Sequence, residues 1–485
     1  MRTLVLSAIL LTTPAPASVA QPPDRFASAR AVIRQLLDSA GVRSMAVAVA
    51  HRGRIVWQEG FGGVDEHTPF SLASISKPIT ATGLMLLVAE GKVDLDAPVN
   101  RYLGEGQVTG LAGSADGATV RRVLSHTAGL PLHYRFYYED LPYGEPTMDD
   151  VIARYAIVTY PPGTDYQYSN LGYGIIDHVI ARVSGVPYAE FMRRRVFAPL
   201  GLTRTSVHLP GDLASHAAGR FDAGGRAIPF YDFDHDGGSA VWASAHDLVR
   251  FGMFHLQERV PDQRRILPDS VIDLMQRVWG TPRANYGLGW ALSPRFGFER
   301  VAHSGGMPGV TTHLALFPTE RLAIVVLSNR TGTPVFRVTD EIAASLVPRY
   351  ADSLRAEQAR ERDAPSSGDR VPFAPPPGMI GTWTGTVRTW RGTVPLELVV
   401  QPDGDVHVAL DDQLRTLLNG PRLADSVLTG RFAGTMPTPD VALHAHSILL
   451  RLRWRGGTLL GQASAQTTAQ PVYFAHTSYV ELTRQ

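Results

Sequence analysis

The spacing of hydrophobic residues divides the chain into a mixed first part and a C-terminal part made almost wholly of strands. Apolar residues recur at helical intervals over residues 26–37, which predicts a first helix. A second helical pattern over residues 74–90 is strongly apolar, so we expect this helix to be buried on most sides. Between these helices, two apolar runs over residues 45–61 turn at His51-Arg52-Gly53, which predicts a β-hairpin.

Further along the first part, helical and strand patterns alternate. Helices are predicted at residues 148–155, 171–183, 243–254 and 339–360, and strands at 310–317 and 322–327. This order predicts an α+β fold, in which an antiparallel sheet carries helices on both faces beside an all-helical region.

Proline and glycine mark the boundary to the second part. Residues 363–378 contain Ala-Pro-Ser-Ser-Gly and three consecutive prolines, a composition typical of a linker. Beyond it, short apolar runs flank the turns Pro402-Asp403-Gly404 and Arg455-Gly456-Gly457. We therefore expect a main domain over residues 24–350 and a small all-β domain, a barrel or lipocalin-like sheet, over 379–485.

The N-terminus has the pattern of an export signal. Arg2 precedes an apolar stretch over residues 4–11, and two prolines and small residues lead to Ala20. This predicts a signal peptide over residues 1–20, cleaved after Ala20, and a periplasmic or secreted protein. The apolar stretch is too short to span a bilayer, so no transmembrane segment is expected.

Composition narrows the classes of function. The chain has 485 residues, 44% hydrophobic and 19% charged, with a formal net charge of +1. This is a globular composition without the basic surface that nucleic acid would need. Cysteine is absent, which excludes disulfides and thiolate chemistry. No metal or other cofactor is predicted, and the following histidines are predicted to be structural: His126, His133, His235, His246 and His313.

Lysine is rare, and its position is informative. The chain has 44 arginines but two lysines, and Lys77 stands three residues after Ser74. Arginine stays protonated in proteins, whereas a desolvated lysine can act as a base. Positions i and i+3 share a helix face, so Ser74 and Lys77 are predicted to pair as nucleophile and base. The alternative is that Ser74 caps the helix that Lys77 belongs to.

Two further polar segments accompany this pair. Tyr168-Ser169-Asn170 follows a turn-rich stretch and opens a helix, while His303-Ser304-Gly305-Gly306 precedes a strand pattern. Together with Ser74 and Lys77, they follow the order of the Ser-x-x-Lys, Ser-Asp-Asn and Lys-Thr-Gly motifs of class A β-lactamases and penicillin-binding proteins.

Over residues 24–350 the chain resembles the serine β-lactamase and penicillin-binding-protein superfamily. The Tyr-x-Asn motif at 168–170 is typical of its class C-like branch, which includes family VIII esterases, D-stereospecific aminopeptidases and D-alanyl-D-alanine carboxypeptidases. The C-terminal strands are similar to the β-barrel domains often appended to these hydrolases. Three other stretches typical of such proteins are residues 124–130, 243–248 and 286–290.

This resemblance implies roles for the first two motifs. Ser74 would attack a carbonyl and form an acyl-enzyme. Lys77 and Tyr168 would share the role of base, with Tyr168 returning a proton to the leaving group. Which of the two takes the first proton stays open. Asn170 would orient either the acyl side chain or Lys77.

The resemblance also implies roles for the third motif. The backbone N–H groups of Ser74 and Gly306 would form an oxyanion hole, and Ser304 would belong to the substrate-binding edge. Gly305 would permit close approach of substrate, with an extended ligand pairing along the strand. Lactamases usually have lysine at this position, a permanent cation for the substrate carboxylate. His303 would offer that carboxylate a weaker charge, which depends on pH.

These residues predict a serine hydrolase that acts on small-molecule esters, peptides or amides through an acyl-enzyme. The alternatives within the same family are a D-alanyl-D-alanine carboxypeptidase and a class C-like β-lactamase with a β-lactam-like substrate. A third alternative is a ligand-binding or assembly module without catalysis. The sequence gives no indication of the oligomeric state.

Overall fold

The computed structural model describes residues 24–39, 41–140, 144–281, 284–363, 372–442, 444–467 and 472–485. The predicted signal peptide over residues 1–20 and half of the predicted linker lie outside these residues. Within the described part of the chain, no helix combines the length and the apolar character needed to cross a membrane.

Helices are spread through the chain up to residue 363, with one short helix near the C-terminus. They are α1 Ala27–Ser39, α2 Ser76–Ala89, α3 Val120–Leu124, α4 Met148–Tyr155, α5 Asn170–Ser184, α6 Tyr188–Met192, α7 Gly211–Ala214, α8 Asp236–Ser239, α9 Ala245–His255, α10 Asp269–Met275, α11 Val335–Leu346, α12 Pro348–Asp363 and α13 Pro439–Ala442. Short 3₁₀ or π turns add Ala73–Ile75, Val99–Tyr102, Ala115–Gly117, Arg193–Phe197 and Pro377–Met379.

The strands form two large sheets and several short ladders. In the first part they are β1 Met45–His51, β2 Arg54–Phe61, β3 Phe70–Ser71, β4 Thr109–Gly110, β5 Tyr134–Tyr138, β6 Ile157–Val158, β7 Thr205–Val207, β8 Tyr231–Phe233, β9 Val241–Ala243, β10 Ala291–Leu292, β11 Val301–Met307, β12 Val310–Phe317 and β13 Leu322–Ser328. In the second part they are β14 Gly381–Thr389, β15 Gly392–Val400, β16 Val406–Leu410, β17 Thr416–Leu417, β18 Asn419–Ala424, β19 Val427–Phe432, β20 Ser447–Arg455, β21 Thr458–Thr467 and β22 Phe474–Arg484.

A six-stranded antiparallel sheet forms the centre of the first part. Its strand order is β10-β11-β12-β13-β1-β2. Successive residues of β1 pack into two different cores: Val47 and Val49 join the core that holds α1 and α11, while Ala46 and Ala48 join the one that holds α2 and α9. The sheet therefore carries helices on both faces, which explains why β1 is continuously apolar rather than alternating.

Helices α3, α4, α6 and α8 pack around α5, which itself packs against α2, while α12 packs against α11. Two short sheets lie among them, with strand orders β3-β9-β7 and β4-β6. The predicted α+β fold is confirmed. This region is not all-helical, however, because two- and three-residue strands pair across long distances in the chain.

The C-terminal strands form a nearly closed, barrel-like sheet, as predicted. Nine of them follow the order β17-β16-β15-β14-β22-β21-β20-β19-β18, so the two end strands are neighbours along the chain. The sheet encloses its own core around Trp383, separate from the cores of the first part. Its strand β22 also pairs with β5 of the first part, through Arg135–Phe474 and Tyr134–Ala475. The barrel is therefore hydrogen-bonded to the first part through this ladder.

Two predicted helices differ in detail from those observed. The α-helix predicted to begin at Ser74 begins at Ser76, and Ser74 lies in the preceding 3₁₀ turn. The helix predicted over 339–360 is two helices, interrupted at Val347, which is extended. Val347 precedes Pro348, and the proline ring disfavours helical geometry in the residue before it.

Candidate active site

Ser74 lies in a tight turn between β3 and α2. Ala73, just before it, has φ of +50°, a left-handed conformation that costs energy for a residue other than glycine. Leu72 N–H donates to Val241 O at 2.9 Å, and Ser76 Oγ donates to Ala73 O at 2.7 Å. The turn is therefore anchored on both sides, and it leaves Ser74 half-buried at the start of the helix.

Lys77 is fully buried on the first turn of α2, and its surroundings are neutral. Its Nζ lies 3.1 Å from Ser74 Oγ, 2.8 Å from Asn170 Oδ1 and 2.9 Å from Gly238 O. The Tyr168 ring centre is 4.9 Å from the same atom. Burial lowers the pKa of Lys77 well below its ordinary value, as the sequence predicted.

The three contacts of Lys77 fit a neutral amine. A neutral amine has two N–H bonds and one lone pair, and two of the contacts, Asn170 Oδ1 and Gly238 O, are carbonyl oxygens that only accept. If these take the two N–H bonds, the lone pair is left to face the Ser74 hydroxyl. This geometry lets Lys77 accept the proton of Ser74 across 3.1 Å.

Tyr168 lies on the other side of Ser74. It belongs to an irregular segment before α5 and is half-buried, with its ring centre 4.9 Å from Lys77 Nζ. Burial raises the pKa of Tyr168, and the nearby Ser74 side chain offsets only part of this rise. Tyr168 is therefore a protonated phenol at neutral pH, suited to donate a hydrogen bond to Ser74 Oγ.

Asn170 is the first residue of α5, where the preceding Ser169 caps the helix by accepting from Gly172 N–H. Of the two roles open to Asn170 in the sequence, the structure places its amide oxygen against Lys77. The second acceptor of Lys77, Gly238 O, was not predicted. It lies in α8, whose Gly237 N–H donates to Asp177 Oδ2 at 2.6 Å.

The third motif lies on β11, directly beside the Ser74 turn. Ser304 and Gly306 are exposed and Gly305 is buried, as expected for a strand with one open face. β10 pairs only with Val301 and Ala302, so from His303 onward this edge of β11 has no strand partner among the described residues. An extended ligand has room to pair there.

Gly305 has a different role from the predicted one. A Cβ at this position would lie 2.1 Å from Leu72 O and 2.2 Å from Thr312 Oγ1, whereas a Cβ at Gly306 would meet nothing within 4 Å. The glycine therefore lets β11 approach the backbone beside Ser74. The space that a side chain at residue 305 would occupy is filled by Leu72 O and Thr312 Oγ1, so it is not open to substrate.

His303 does not offer the switchable charge that the sequence suggested. Its Nε2 lies 2.9 Å from Tyr286 OH and its Nδ1 2.8 Å from Ser304 O, so Nδ1–H donates to the carbonyl and Nε2 accepts from the phenol. Burial, with a further contribution from Lys77, lowers the pKa of His303 to about 3. The residue is therefore a neutral hydrogen-bonding link between β11 and Tyr286 at neutral pH.

His126 joins the site although the sequence placed it among structural residues. Its ring centre is 4.4 Å from that of Tyr168 and 4.8 Å from that of Tyr286. Its Nδ1 accepts from Ser169 N–H at 3.1 Å, and its carbonyl accepts from Gln167 N–H at 2.7 Å. His126 thus holds both chain neighbours of Tyr168. His126 lies within the family-typical stretch over residues 124–130, but nothing in the sequence connected it with Tyr168.

Comparison with known proteins relates this geometry to a family. Residues 29–349 match the family model described as Beta-lactamase. Putative beta-lactamase-like 1 of Homo sapiens is 27% identical over 370 residues, covering 71% of this chain and 72% of that protein. The unguisins hydrolase ungD' of Aspergillus campestris is 29% identical over 330 residues, covering 62% of this chain and 61% of that protein.

The fold has relatives among solved structures, including one that extends over the barrel. The crystal structure of SurE superposes with a TM-score of 0.61 at 23% identity, covering 95% of this chain and 99% of that one. An identity this low is evidence for a shared fold only. The family match spans most of the chain and includes all three motifs, so this chain belongs to the Beta-lactamase family.

Proposed function

We propose that this protein is a serine hydrolase that cleaves esters or small peptide amides through an acyl-enzyme on Ser74. The observation that carries the proposal is the environment of Lys77, a buried amine with two carbonyl acceptors and the Ser74 hydroxyl as its third contact. A helix-capping serine would not need a buried amine beside its hydroxyl.

The proton roles follow from the two pKa shifts. Burial lowers the pKa of Lys77 and raises that of Tyr168, so the amine is the base and the phenol the acid at neutral pH. Lys77 takes the proton as Ser74 Oγ bonds to the carbonyl carbon. Tyr168 gives its proton to the leaving group as the carbonyl re-forms, and the protonated Lys77 beside it returns a proton directly to the Tyr168 phenolate. Water then hydrolyses the acyl-enzyme: its oxygen bonds to the acyl carbon as the bond to Ser74 Oγ breaks, and one of its protons returns to Ser74 Oγ.

The backbone N–H groups of Ser74 and Gly306 are the proposed oxyanion hole. The buried Gly305 supports this role, because the absence of a Cβ lets β11 pack against the Ser74 turn, one residue before Gly306. Ser304, exposed on the same face, would contact the bound substrate.

The substrate class is proposed from His303. A neutral imidazole engaged by Tyr286 supplies no fixed cation for a carboxylate, which disfavours carboxylate-bearing antibiotics as efficient substrates. The unpaired edge of β11 favours substrates with an acyl group that can pair as a short strand. Among the relatives, ungD' is named a hydrolase, which agrees with this proposal.

The proposal also includes export, on the evidence of the N-terminal apolar pattern alone. Expression of the full chain followed by cell fractionation should place a protein shortened by the first 20 residues outside the cytoplasm. An N-terminal sequence that starts at Met1 would contradict it.

The test is covalent labelling by a fluorophosphonate together with turnover of a chromogenic ester. We expect the native protein to be labelled and Ser74→Ala to show neither labelling nor turnover. Ser114→Ala is the matched control, because Ser114 is an exposed serine outside the three motifs; this variant should behave as the native protein. Equal labelling of Ser74→Ala would show that the nucleophile is another residue.

A substrate panel separates the proposal from its alternatives. Stable labelling by penicillin would favour a carboxypeptidase, and rapid turnover of a chromogenic cephalosporin would favour a lactamase. An unreactive Ser74 together with tight ligand binding would favour a binding module. The proposal predicts esters or D-amino-acid amides as the best substrates.

A further inference from the structure

The outer face of barrel strand β21 is polar in sequence but buried in the structure. Alternate residues of the strand, such as Ala463 and Ala465, fill the barrel core. Gln462, Ser464 and Gln466 point the other way, yet their exposed fractions are 5%, 5% and 8%. The first part of the chain covers this face, so its polar groups need partners there or within the barrel.

Gln462 finds its partners across this interface. Its Nε2 donates to Thr159 Oγ1 at 2.6 Å and to Gln167 Oε1 at 2.8 Å, so both hydrogens of the amide are used. The strand that carries it is paired on both sides, with Arg451 of β20 and Tyr479 of β22. Gln462 is thus a donor held on a rigid element.

The segment that contains Gln167 also carries Tyr168 and has no regular structure of its own. Residues 164–169 form bends and coil before α5 begins. On the side away from the barrel, His126 hydrogen-bonds the segment, and Ser169 Oγ donates to Pro131 O at 2.6 Å. Toward the barrel, it is held by Gln462.

Other contacts attach the barrel to the same stretch. Asp165 forms an ion pair with Arg453 of β20. Tyr160 OH donates to Arg451 O at 2.7 Å, and a Cβ at Gly461 would lie 2.7 Å from that phenol oxygen. The segment that carries Tyr168 is therefore hydrogen-bonded both to the barrel and to residues 126–131 of the first part.

We propose that Gln462 is a positioning residue for Tyr168, so that the barrel is part of the catalytic apparatus and not an independent appendage. The inference rests on the proposed function, because it assigns Tyr168 the role of proton donor. Gln462 acts through Gln167, the residue directly before Tyr168 in the chain. Without it, Gln167 Oε1 would be buried and unpaired, and the segment would shift to reach water.

The primary test is Gln462→Leu, which keeps the volume and removes both donors. Its kcat for a chromogenic ester should fall by about 10-fold or more with KM changed less than about 2-fold, because a small displacement of a catalytic group costs turnover. Hydrogen exchange of the peptide over residues 164–171 should accelerate, while exchange in the region of α2 should not change.

Two comparisons make the test specific. Gln466→Leu is the same substitution four residues along the same face, where the amide oxygen accepts from Arg431 within the barrel; its kcat and its exchange in residues 164–171 should match the native protein. The double variant Gln167→Leu/Gln462→Leu should lose no more activity than the worse single variant, because both remove one linkage.

The outcomes are distinguishable. If the native protein is active and Gln462→Leu keeps its kcat within about 2-fold, the inference is overturned while the proposed function stands. Equal losses in Gln462→Leu and Gln466→Leu would also overturn it, by pointing to barrel stability alone. If the native protein neither labels nor turns over ester, the proposed function fails and this inference fails with it.

Discussion

At the scale of single residues, the site is notable for using neutral partners around a buried amine. Lys77 contacts a hydroxyl, an amide oxygen and a backbone carbonyl, and among the described residues no carboxylate hydrogen-bonds to it. A carboxylate there would raise the pKa of the amine and hold it in its charged form, which cannot accept a proton. The choice of partners is therefore as important as the choice of lysine.

Replacing Lys77 by arginine tests this requirement. Lys77→Arg introduces a permanent positive charge that cannot accept a proton, and it forces a larger group into a buried site. We expect ester turnover to fall by about 10²–10⁴-fold. Lys92→Arg is the matched control, because Lys92 is half-exposed and pairs with Glu90 on the surface; its turnover should be unchanged. Comparable turnover in both variants would remove Lys77 from the mechanism.

The sequence could supply the side chains of this site but not their full surroundings. Spacing relates Ser74 to Lys77 and Tyr168 to Asn170, and the family resemblance implies that the two motifs meet. The structure brings all four residues together. Gly238 contributes a carbonyl oxygen, which every residue has, so no side-chain pattern marks it. Its position depends on how α8 packs against α2 and α5.

At the scale of elements, the packing of β11 on the Ser74 turn depends on one glycine. A Cβ at Gly305 would meet a backbone oxygen, Leu72 O, at 2.1 Å, and a backbone atom cannot swing aside. The strand and the turn would have to separate, which changes the position of Gly306 as well. The glycine of the third motif is therefore a packing requirement.

Gly305→Ala should destabilise the fold by about 1–3 kcal/mol, the usual cost of forcing an extra carbon into a packed interior. Gly306→Ala, one residue along, is the control for stability alone, because its added carbon meets open space. The free energy of unfolding, measured by urea denaturation, should separate the two variants. Equal values would show that β11 moves away at little cost.

Long, regular elements were predictable, and short ones were not. The boundaries of α4 and β12 agree with those predicted, because each has a clear hydrophobic pattern over eight residues. Strands β3, β7 and β9 have two or three residues, which is too short for any period. Their pairing joins residues 70–71, 205–207 and 241–243, and it is decided by tertiary packing.

At the scale of the whole molecule, several buried histidines are neutral. Burial lowers the pKa of His255, His303 and His313 to about 3 and that of His476 to about 4. These histidines lie in both parts of the chain. The unfolded chain would protonate them near pH 6.5, whereas the folded chain keeps them neutral to much lower pH.

The protein should therefore lose stability steadily as the pH falls from about 6.5 to about 4. In this range the unfolded state binds protons that the folded state does not, and each such histidine contributes about 1.4 kcal/mol per pH unit. Denaturation at pH 7, 6 and 5 measures the slope. Burial is the cause of the lowered pKa of His255, whose Nε2 hydrogen-bonds Thr82. His255→Gln should therefore reduce the slope of stability against pH. A stability that does not change over this range would contradict the prediction.

The scarcity of lysine has a practical consequence for studying this molecule. Lys77 is buried, while Lys92 lies just beyond the far end of α2 with half of its side chain exposed. Amine-acylating dyes do not react with arginine, so apart from the α-amino group they should attach to Lys92 alone. A helix of 14 residues spans about 20 Å, which sets the separation between such a dye and a fluorescent label on Ser74. The native chain thus carries a built-in pair of attachment points for energy-transfer measurements, and mass spectrometry of the acylated protein would confirm the single site.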